Sequence, residues 1–411
     1  MQTHVEIEAK YDVADDGQLP ELIGVGGVES VVPQDEMVLT ATYFDTVDQS
    51  LAAARATLRR RTGGTDDGWH LKLSLADGER LEVHRSLGRS LTPPAALTTL
   101  VRGFVRTQRL EAVATLVNRR TVHQLLARDG RVLAELADDS VTGERLGDEG
   151  ATLNWRELEI ELVDGDRAVL AALDAAVRRA GLLPAKGASK VGRVLGSSPL
   201  QFAERPTFRR RTPVGDVLVA GLRELVVDLQ AGDPLVRLDR AGAPTRMRAA
   251  TQRLRAALAL QRQVIPDELV PSLRSELAWL DSVLAGLDEI DTSGARIRSA
   301  LAVQPRELIL GPVVRRLDRE LAADRRAALA AVREALDSAR YLDLLESIVA
   351  FPSRMPPGGA AASRAGDVLP DLAERALRRA ERRLAQLGRA PSDDERRWQQ
   401  RGARRAVQRA T

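Results

Sequence analysis

The sequence predicts a two-domain α+β protein: an eight-stranded antiparallel β barrel or tunnel with flanking helices, then an all-α helical bundle. Three observations carry that prediction. The chain has 411 residues, whereas one hydrophobic core rarely grows past roughly 250–300. Its first half alternates apolar and polar residues with period two, and its second half repeats at helical spacing nearly throughout. The halves also differ in charge. Residues 1–200 carry 24 Lys+Arg against 30 Asp+Glu, and residues 201–411 carry 37 against 28.

Taken in order, His4–Tyr11, Val38–Phe44, Thr57–Arg61, Trp69–Ser74, Arg80–Arg85, Arg119–Leu126, Arg131–Asp139 and Trp155–Val163 read as strands. Turns rich in Gly and Asp separate them, among them Gly63-Gly64, Asp77-Gly78 and Asp129-Gly130. Eight short antiparallel strands predict closure into a barrel. Arg167–Ala180 reads as a helix stopped by Gly181. The first domain is thus residues 1–200. Ser197–Pro213 is rich in Ser, Pro and Arg, and residues 201–213 are read as the linker to a second domain, 214–411. There Val214–Leu229, Thr245–Arg262, Asp267–Leu287, Val313–Val349, Val368–Leu387 and a segment from Asp393 onward predict helices, while Ser353–Gly366 predicts a loop.

Composition excludes several chemistries. There is no cysteine, which removes disulfides, thiolate zinc sites and cysteine nucleophiles, and fits a cytoplasmic protein. No run of about 18 apolar residues would span a membrane, and the N-terminus lacks the layout of a secretion signal. No GxxxxGK[ST] loop occurs, so ordinary NTPase architecture is not expected. Only Lys10, Lys72, Lys186 and Lys190 break the arginine monopoly among 61 basic residues. A lysine retained in such a chain points to a position needing a compact ammonium rather than a planar guanidinium.

On a strand, residues two apart share a face. Glu6, Glu8 and Lys10 share one, as do Arg59 with Arg61, His70 with Lys72, and Arg80 with Glu82. Glu135, Ala137 and Asp139 follow, then Glu157, Glu159 and Glu161. A solvated face would intersperse signs, and three carboxylates in a row repel one another. A barrel interior holding metal ions and a polyanion accounts for both the acidic and the basic blocks. With no Cys and four His, the ligands are hard oxygens, which favour Mg²⁺ or Mn²⁺ over zinc or copper. Structural or solvated roles are favoured for His4 and His123; His70 and His84 share faces with Lys72 and Glu82 respectively, so reaching the tunnel is an open, less favoured reading for each.

Glu6-x-Glu8-x-Lys10 resembles the ExExK signature of the CYTH superfamily, the triphosphate tunnel metalloenzymes. Further matches follow in order: Thr42-Tyr43-Phe44-Asp45-Thr46, Leu58-Arg59-Arg60-Arg61, Trp69-His70-Leu71-Lys72, Arg80-x-Glu82, Arg119-Arg120-Thr121, Glu157-x-Glu159-x-Glu161 and Ser189-Lys190. The resemblance implies an eight-stranded tunnel that hydrolyses triphosphate compounds with a divalent metal. It implies that Lys10, Arg59, Arg61, Lys72, Arg120 and Lys190 grip the triphosphate, with Arg80 and Glu82 in the same set. Glu6, Glu8, Asp139, Glu157, Glu159 and Glu161 would supply metal ligands and orient water. Asp138 competes with Asp139, and Arg119 with Arg120. Which two of the last three glutamates face metal stays open.

Residues 214–411 resemble the CHAD domain, an all-α module often fused behind CYTH and associated with polyphosphate binding. The resemblance rests on the run from Met247 to Arg255, on Glu276-Leu277-Ala278-Trp279-Leu280 and on Arg340-Tyr341-Leu342-Asp343-Leu344-Leu345. Arg248, Gln252 and Arg255 lie on one helical face, with Arg246 and Arg253 in an adjacent row. These arginines, with Arg401 and Arg405 of a second basic helix, are the implied contacts to long-chain polyphosphate. Thr245 and Trp398 stand where the family has histidine, and the domain looks shortened at its C-terminal end.

The leading expectation is hydrolysis of inorganic triphosphate or a related triphosphate compound. A non-catalytic polyphosphate-binding or scaffold protein is the alternative, suggested by the basic second half, and adenylate cyclase activity comes behind it. Nucleic acid is disfavoured as a partner, since no recognised motif or interleaved aromatics occur. The oligomeric state is left open.

Overall fold

The computed structural model describes residues 2–75, 79–147, 152–185, 189–196, 207–262, 264, 268–305, 312–354 and 358–387. The Asp77-Gly78 turn, Lys186, the expected helix from Asp393, Trp398, Arg401 and Arg405 lie outside the described residues. The chain divides into two units, Met1–Arg205 and Pro206–Thr411.

The first unit is built on one antiparallel ladder of β1 (Gln2–Glu6), β2 (Glu8–Val13), β3 (Ser30–Pro33), β4 (Met37–Asp45), β5 (Thr57–Thr62), β6 (Gly68–Ser74), β7 (Arg80–Ser86), β8 (Glu111–Leu126), β9 (Val132–Arg145), β10 (Leu153–Leu162) and β11 (Leu183–Pro184). The order is β1-β7-β6-β5-β4-β8-β9-β10-β2-β11, with β3 on β8. The N-terminal strand, expected as one element, is interrupted at Ile7. Its first half pairs with β7 and its second with β10. Short β11 aside, the curled ladder therefore begins and ends on two halves of the same strand, and its strand count is close to the eight expected. Short β3 and β11 are additions to it.

Strand β8 begins at Glu111, well before the expected Arg119. Its Ala-rich first half has little hydrophobic contrast, yet β4 and β9 pair with it on either side. Helices α1 (Ser50–Ala53), α2 (Ala95–Leu100), α3 (Arg102–Val105), α4 (Arg167–Arg179) and α5 (Lys190–Leu195) complete the unit. Asp166 caps α4 by accepting from Ala168 N and Val169 N. The helix then buries Leu173, Ala176 and Val177 with Leu125, Leu136, Leu158 and Ile160 of the sheet. Apolar outward-facing strand residues are thus covered by helix, and the charged face is turned inward.

The second unit contains α6 (Val214–Arg237), α7 (Ala243–Gln261), α8 (Leu269–Ala302), α9 (Val313–Asp337), α10 (Ala339–Ala350) and α11 (Ala365–Leu387). Its core is aliphatic, with Leu222, Leu229, Leu254, Leu258, Leu277, Leu280, Leu284, Leu336 and Leu345 all buried. The single helix expected over Val313–Val349 is two helices. Ser338 takes an extended ψ of 151° and its hydroxyl accepts from Tyr341 N at 3.2 Å, capping α10. Thr212 O and Arg210 O accept from Ala365 N and Gly366 N, so these residues of the expected linker are held in this unit. No described helix is long and apolar enough to cross a membrane.

Candidate functional site

Strand register brings the charged faces together inside the barrel. Glu6 lies opposite Arg80 on β7, and Lys72 opposite Glu82. Arg59 is flanked by Tyr43 and His70. Around the other side Arg120 faces Asp139, Asp139 faces Glu157, Glu159 faces Lys10, and Glu161 faces Glu8. All of these positions share one parity, so the like charges two apart in sequence meet charges of both signs across strands. Glu6 with Arg80, Lys72 with Glu82, Arg120 with Asp139 and Glu159 with Lys10 are opposite, while Asp139 with Glu157 and Glu161 with Glu8 are like pairs.

Most of these charged side chains are paired. Lys72 Nζ donates to both carboxylate oxygens of Glu6, at 2.8 and 2.7 Å. Arg80 lies 3.1 Å from Glu8 Oε1, and Lys10 Nζ lies 3.2 Å from Glu8 Oε2 while also bonding Glu159. Arg120 clamps Asp139 with two bonds of 2.6 Å and reaches Glu159 with a third. Lys190 Nζ sits 2.9 Å from Asp139, 2.6 Å from Glu157 and 2.7 Å from Glu159.

Helix α5 delivers that ammonium. Ser189 caps it through Gly192 N, and its Val191, Val194 and Leu195 pack with Ala41, Tyr43, Leu116, Val141 and Trp155. At Gly143 a Cβ would fall 2.4 Å from Val194 Cγ2, so that close approach of strand and helix requires glycine. Lys190 is thus fixed among the three carboxylates by packing as well as by charge.

Register also resolves the two open pairs. Asp138 and Arg119 have the opposite parity and point outward, which corrects their inclusion among the site residues. Asp138 accepts a two-bond contact from Arg156 at 2.8 Å, and Arg119 pairs with Glu36 on the exposed surface. Asp139 and Arg120 occupy the interior instead. On the helical unit, Arg248 bonds Asp281 and Asp288, Gln252 bonds Asp281, and Arg255 lies 3.9 Å from Asp281. Arg253 pairs with Asp228, and Arg246 reaches the Ala241 carbonyl. The expected basic face of α7 is therefore interleaved with acids of neighbouring helices.

Residues 4–194 match the CYTH domain, and residues 220–410 match the CHAD domain. Two Mycobacterium tuberculosis proteins, MT2285 of strain CDC 1551 / Oshkosh and Rv2226 of strain ATCC 25618 / H37Rv, are each 34% identical over 365 residues, covering 85% of this chain and 70% of theirs. The chain belongs to the CYTH family, with a CHAD domain behind the CYTH domain. Among solved structures it is similar to the CHAD domain from the plant Ricinus communis (18% identity, TM-score 0.39, 51% of this chain and 69% of that one). It is also similar to PptA from Streptomyces chartreusis (23%, TM-score 0.38, 48% and 76%). HpAC1 from Hippeastrum, described with a dominant triphosphatase activity, aligns at 16% identity with a TM-score of 0.30 over 47% and 96%.

Burial and charge set the protonation of the CYTH tunnel. Burial, with the neighbouring Glu82 carboxylate adding to it, pushes Glu6 up to about 8 against the pull of Lys72. Burial likewise raises Glu161. Burial opposes the ionisation of Glu159 and Asp139, yet Lys10, Lys190 and Arg120 hold Glu159 well below the usual carboxylate range, and Lys190 and Arg120 hold Asp139 below it. Burial, helped by Arg59 and Arg120, lowers Arg61 to about 9. Asp139, Glu157 and Glu159 each offer an oxygen within 4.8 Å of the others, all buried. Three convergent carboxylates form an all-oxygen donor set suited to a hard divalent cation. The site therefore sets oxygen donors suited to a cation beside ammonium and guanidinium groups of the kind that pair with anions.

Two further residues of the interior lie within the matched motifs but are given no site role there. His70 is almost fully buried, with Nδ1 2.8 Å from Glu82 Oε1 and Nε2 3.0 Å from the Asp66 carbonyl. Burial pushes its imidazole down to about 4. The face it shares with Lys72 is the signal in the sequence. Tyr43, also buried, accepts from Arg59 at 3.2 Å; its place in the Thr42–Thr46 motif and its register opposite Arg59 mark it.

Proposed function

We propose that the CYTH unit hydrolyses inorganic triphosphate, or a related triphosphate compound, to diphosphate and phosphate with Mg²⁺ or Mn²⁺. The observation that carries this reading is the inward face on which carboxylates and ammonium and guanidinium groups, buried or half-buried, are brought into mutual contact. A lone polyanion or a lone metal would leave half of those charges unpaired, which is strongly unfavourable in a buried site. A metal–triphosphate complex carries both signs and can exchange with the internal ion pairs. In that exchange Lys10, Arg59, Arg61, Lys72, Arg80, Arg120 and Lys190 turn to phosphate oxygens.

Asp139, Glu157 and Glu159, with Glu6, Glu8 and Glu161 on the same face, would be the oxygen donors for metal. A divalent cation held there would offset negative charge on the phosphoryl group under attack. The chain's own residues hold the triphosphate extended, exclude bulk water and spread cationic donors along it. Water oxygen then bonds to the terminal phosphorus as the bridging P–O bond breaks and diphosphate leaves.

For the CHAD unit we propose long-chain polyphosphate as ligand, supported by the net positive charge of residues 201–411 and the arginines of α7. Because Arg248 and Arg253 already have aspartate partners, binding there requires exchange of ion pairs. Phosphate release from tripolyphosphate by the full chain, with and without Mg²⁺ or Mn²⁺, tests the tunnel reading. Retention on immobilised long-chain polyphosphate, lost in Arg248→Ala plus Arg253→Ala, tests the second.

A further inference from the structure

The hairpin between β5 and β6 returns an acid to the tunnel. Arg61, with a side chain only 9% exposed, pairs with Asp66, whose side chain is 54% exposed. Arg61 Nε and Arg59 Nε are buried without hydrogen-bond partners. These two arginines thus form a desolvated cationic pair that a carboxylate from a solvent-facing turn reaches at Arg61.

That turn is held in place rather than loosely draped. Gly63 has φ +97°, and a Cβ there would fall 2.1 Å from the Val38 carbonyl oxygen. At Gly64 a Cβ would fall 2.8 Å from Leu39 Cδ2, and Gly64 N donates to Asp67 Oδ1 at 2.9 Å. His70 Nε2 bonds the Asp66 carbonyl at 3.0 Å, and its ring lies 4.8 Å from that of His84. Backbone, glycine packing and a buried imidazole therefore all place the Asp66 carboxylate on Arg61.

We propose that Asp66 is a resident competitor for Arg61, a carboxylate that the anionic ligand must displace and that thereby sets the tunnel's affinity for phosphate. This rests on the reading of the tunnel as a triphosphate site. A carboxylate and a phosphate oxygen seek the same guanidinium donors. Asp66 lowers the cost of burying Arg61 in the empty tunnel and withdraws that benefit when phosphate arrives. Any ligand that reaches Arg61 loses the same increment of affinity, and a ligand that stops short of it loses none.

The test is calorimetric titration of the full chain, in the presence of Mg²⁺, with a tripolyphosphate analogue whose bridging oxygens are replaced by methylene groups, so that nothing turns over. Asp66→Asn keeps the turn's size and removes its charge. It should tighten binding about two- to fivefold, the scale of a part-exposed ion pair. Asp67→Asn, one residue on and equal in charge change, should leave affinity as in the unsubstituted chain. In an Arg61→Ala background the Asp66→Asn effect should vanish. If Asp66→Asn and Asp67→Asn act alike, or the gain persists without Arg61, the competitor role is wrong while the tunnel reading stands. If neither the unsubstituted chain nor any variant binds the metal-complexed analogue, both fall together.

Discussion

Lys72 on β6 donates to both carboxylate oxygens of Glu6 on β1, reaching over the intervening β7, so a primary amine rather than a guanidinium ties the N-terminal strand into the ladder. Lys72→Arg conserves the charge but not the shape, because a planar fork cannot converge three donors on one point. Turnover should fall on the order of tenfold, with the unfolding midpoint nearly unchanged. Steady-state kinetics beside a thermal melt checks it. Activity equal to the parent chain would end the argument that scarce lysines mark chemical positions.

Glu6 gives the tunnel a pH signature. Its folded pKa, about 8, lies above the ordinary carboxylate value, so the folded chain retains a proton that the unfolded chain releases. That contribution to stability is full below the unfolded value and is lost as the pH rises through about 8. In metal-free protein, Glu6→Gln should therefore gain stability relative to the parent as the pH is raised from about 5 to 9. Melts across that range read the difference directly, and parallel curves would contradict it.

Lys190→Met should destabilise the metal-free CYTH unit by about 3–5 kcal/mol, because it leaves Asp139, Glu157 and Glu159 without their shared cation. Millimolar Mg²⁺ or Mn²⁺ should restore more of the melting temperature in this variant than it adds to the parent. Equal metal effects in both would argue against a cation site at these carboxylates.

Parity separates neighbours. Arg120→Ala should lower turnover by about 10²-fold, the usual loss when a charge-stabilising donor is removed. Arg119→Ala, one residue away but paired with exposed Glu36, should stay within about 0.5 kcal/mol in stability and keep its activity. Similar losses in both would mean the outward strand face also serves the site.

Much of the tunnel is legible in the amino-acid sequence itself. Period-two charge on Glu6-Glu8-Lys10 and Glu157-Glu159-Glu161 is a local signal, and local signals survive in sequence. The interruption at Ile7 does not show there, because a strand that exchanges one partner for another keeps the same alternation. Asp138 and Asp139 are inseparable for a related reason. Adjacent acids differ only in face, and face is settled by the register against Arg120 and Glu157. Asp66 is hidden because turn acids are common, and its meaning comes from the hairpin that folds it onto Arg61. In the helical unit the arginine rows on α7 are visible, but Asp281 and Asp288 lie on another helix and only packing joins them.

The central claim is that the interior of the β barrel turns over triphosphate. The most direct measurement is phosphate release by the full chain from tripolyphosphate, ATP and thiamine triphosphate, with Mg²⁺, Mn²⁺ or chelator, beside Glu8→Gln. A working tunnel predicts metal-dependent release from at least one of these by the parent chain. It predicts loss of that release in Glu8→Gln with the melting profile preserved. Absence of release from all three with either metal, or full activity in Glu8→Gln, would contradict it.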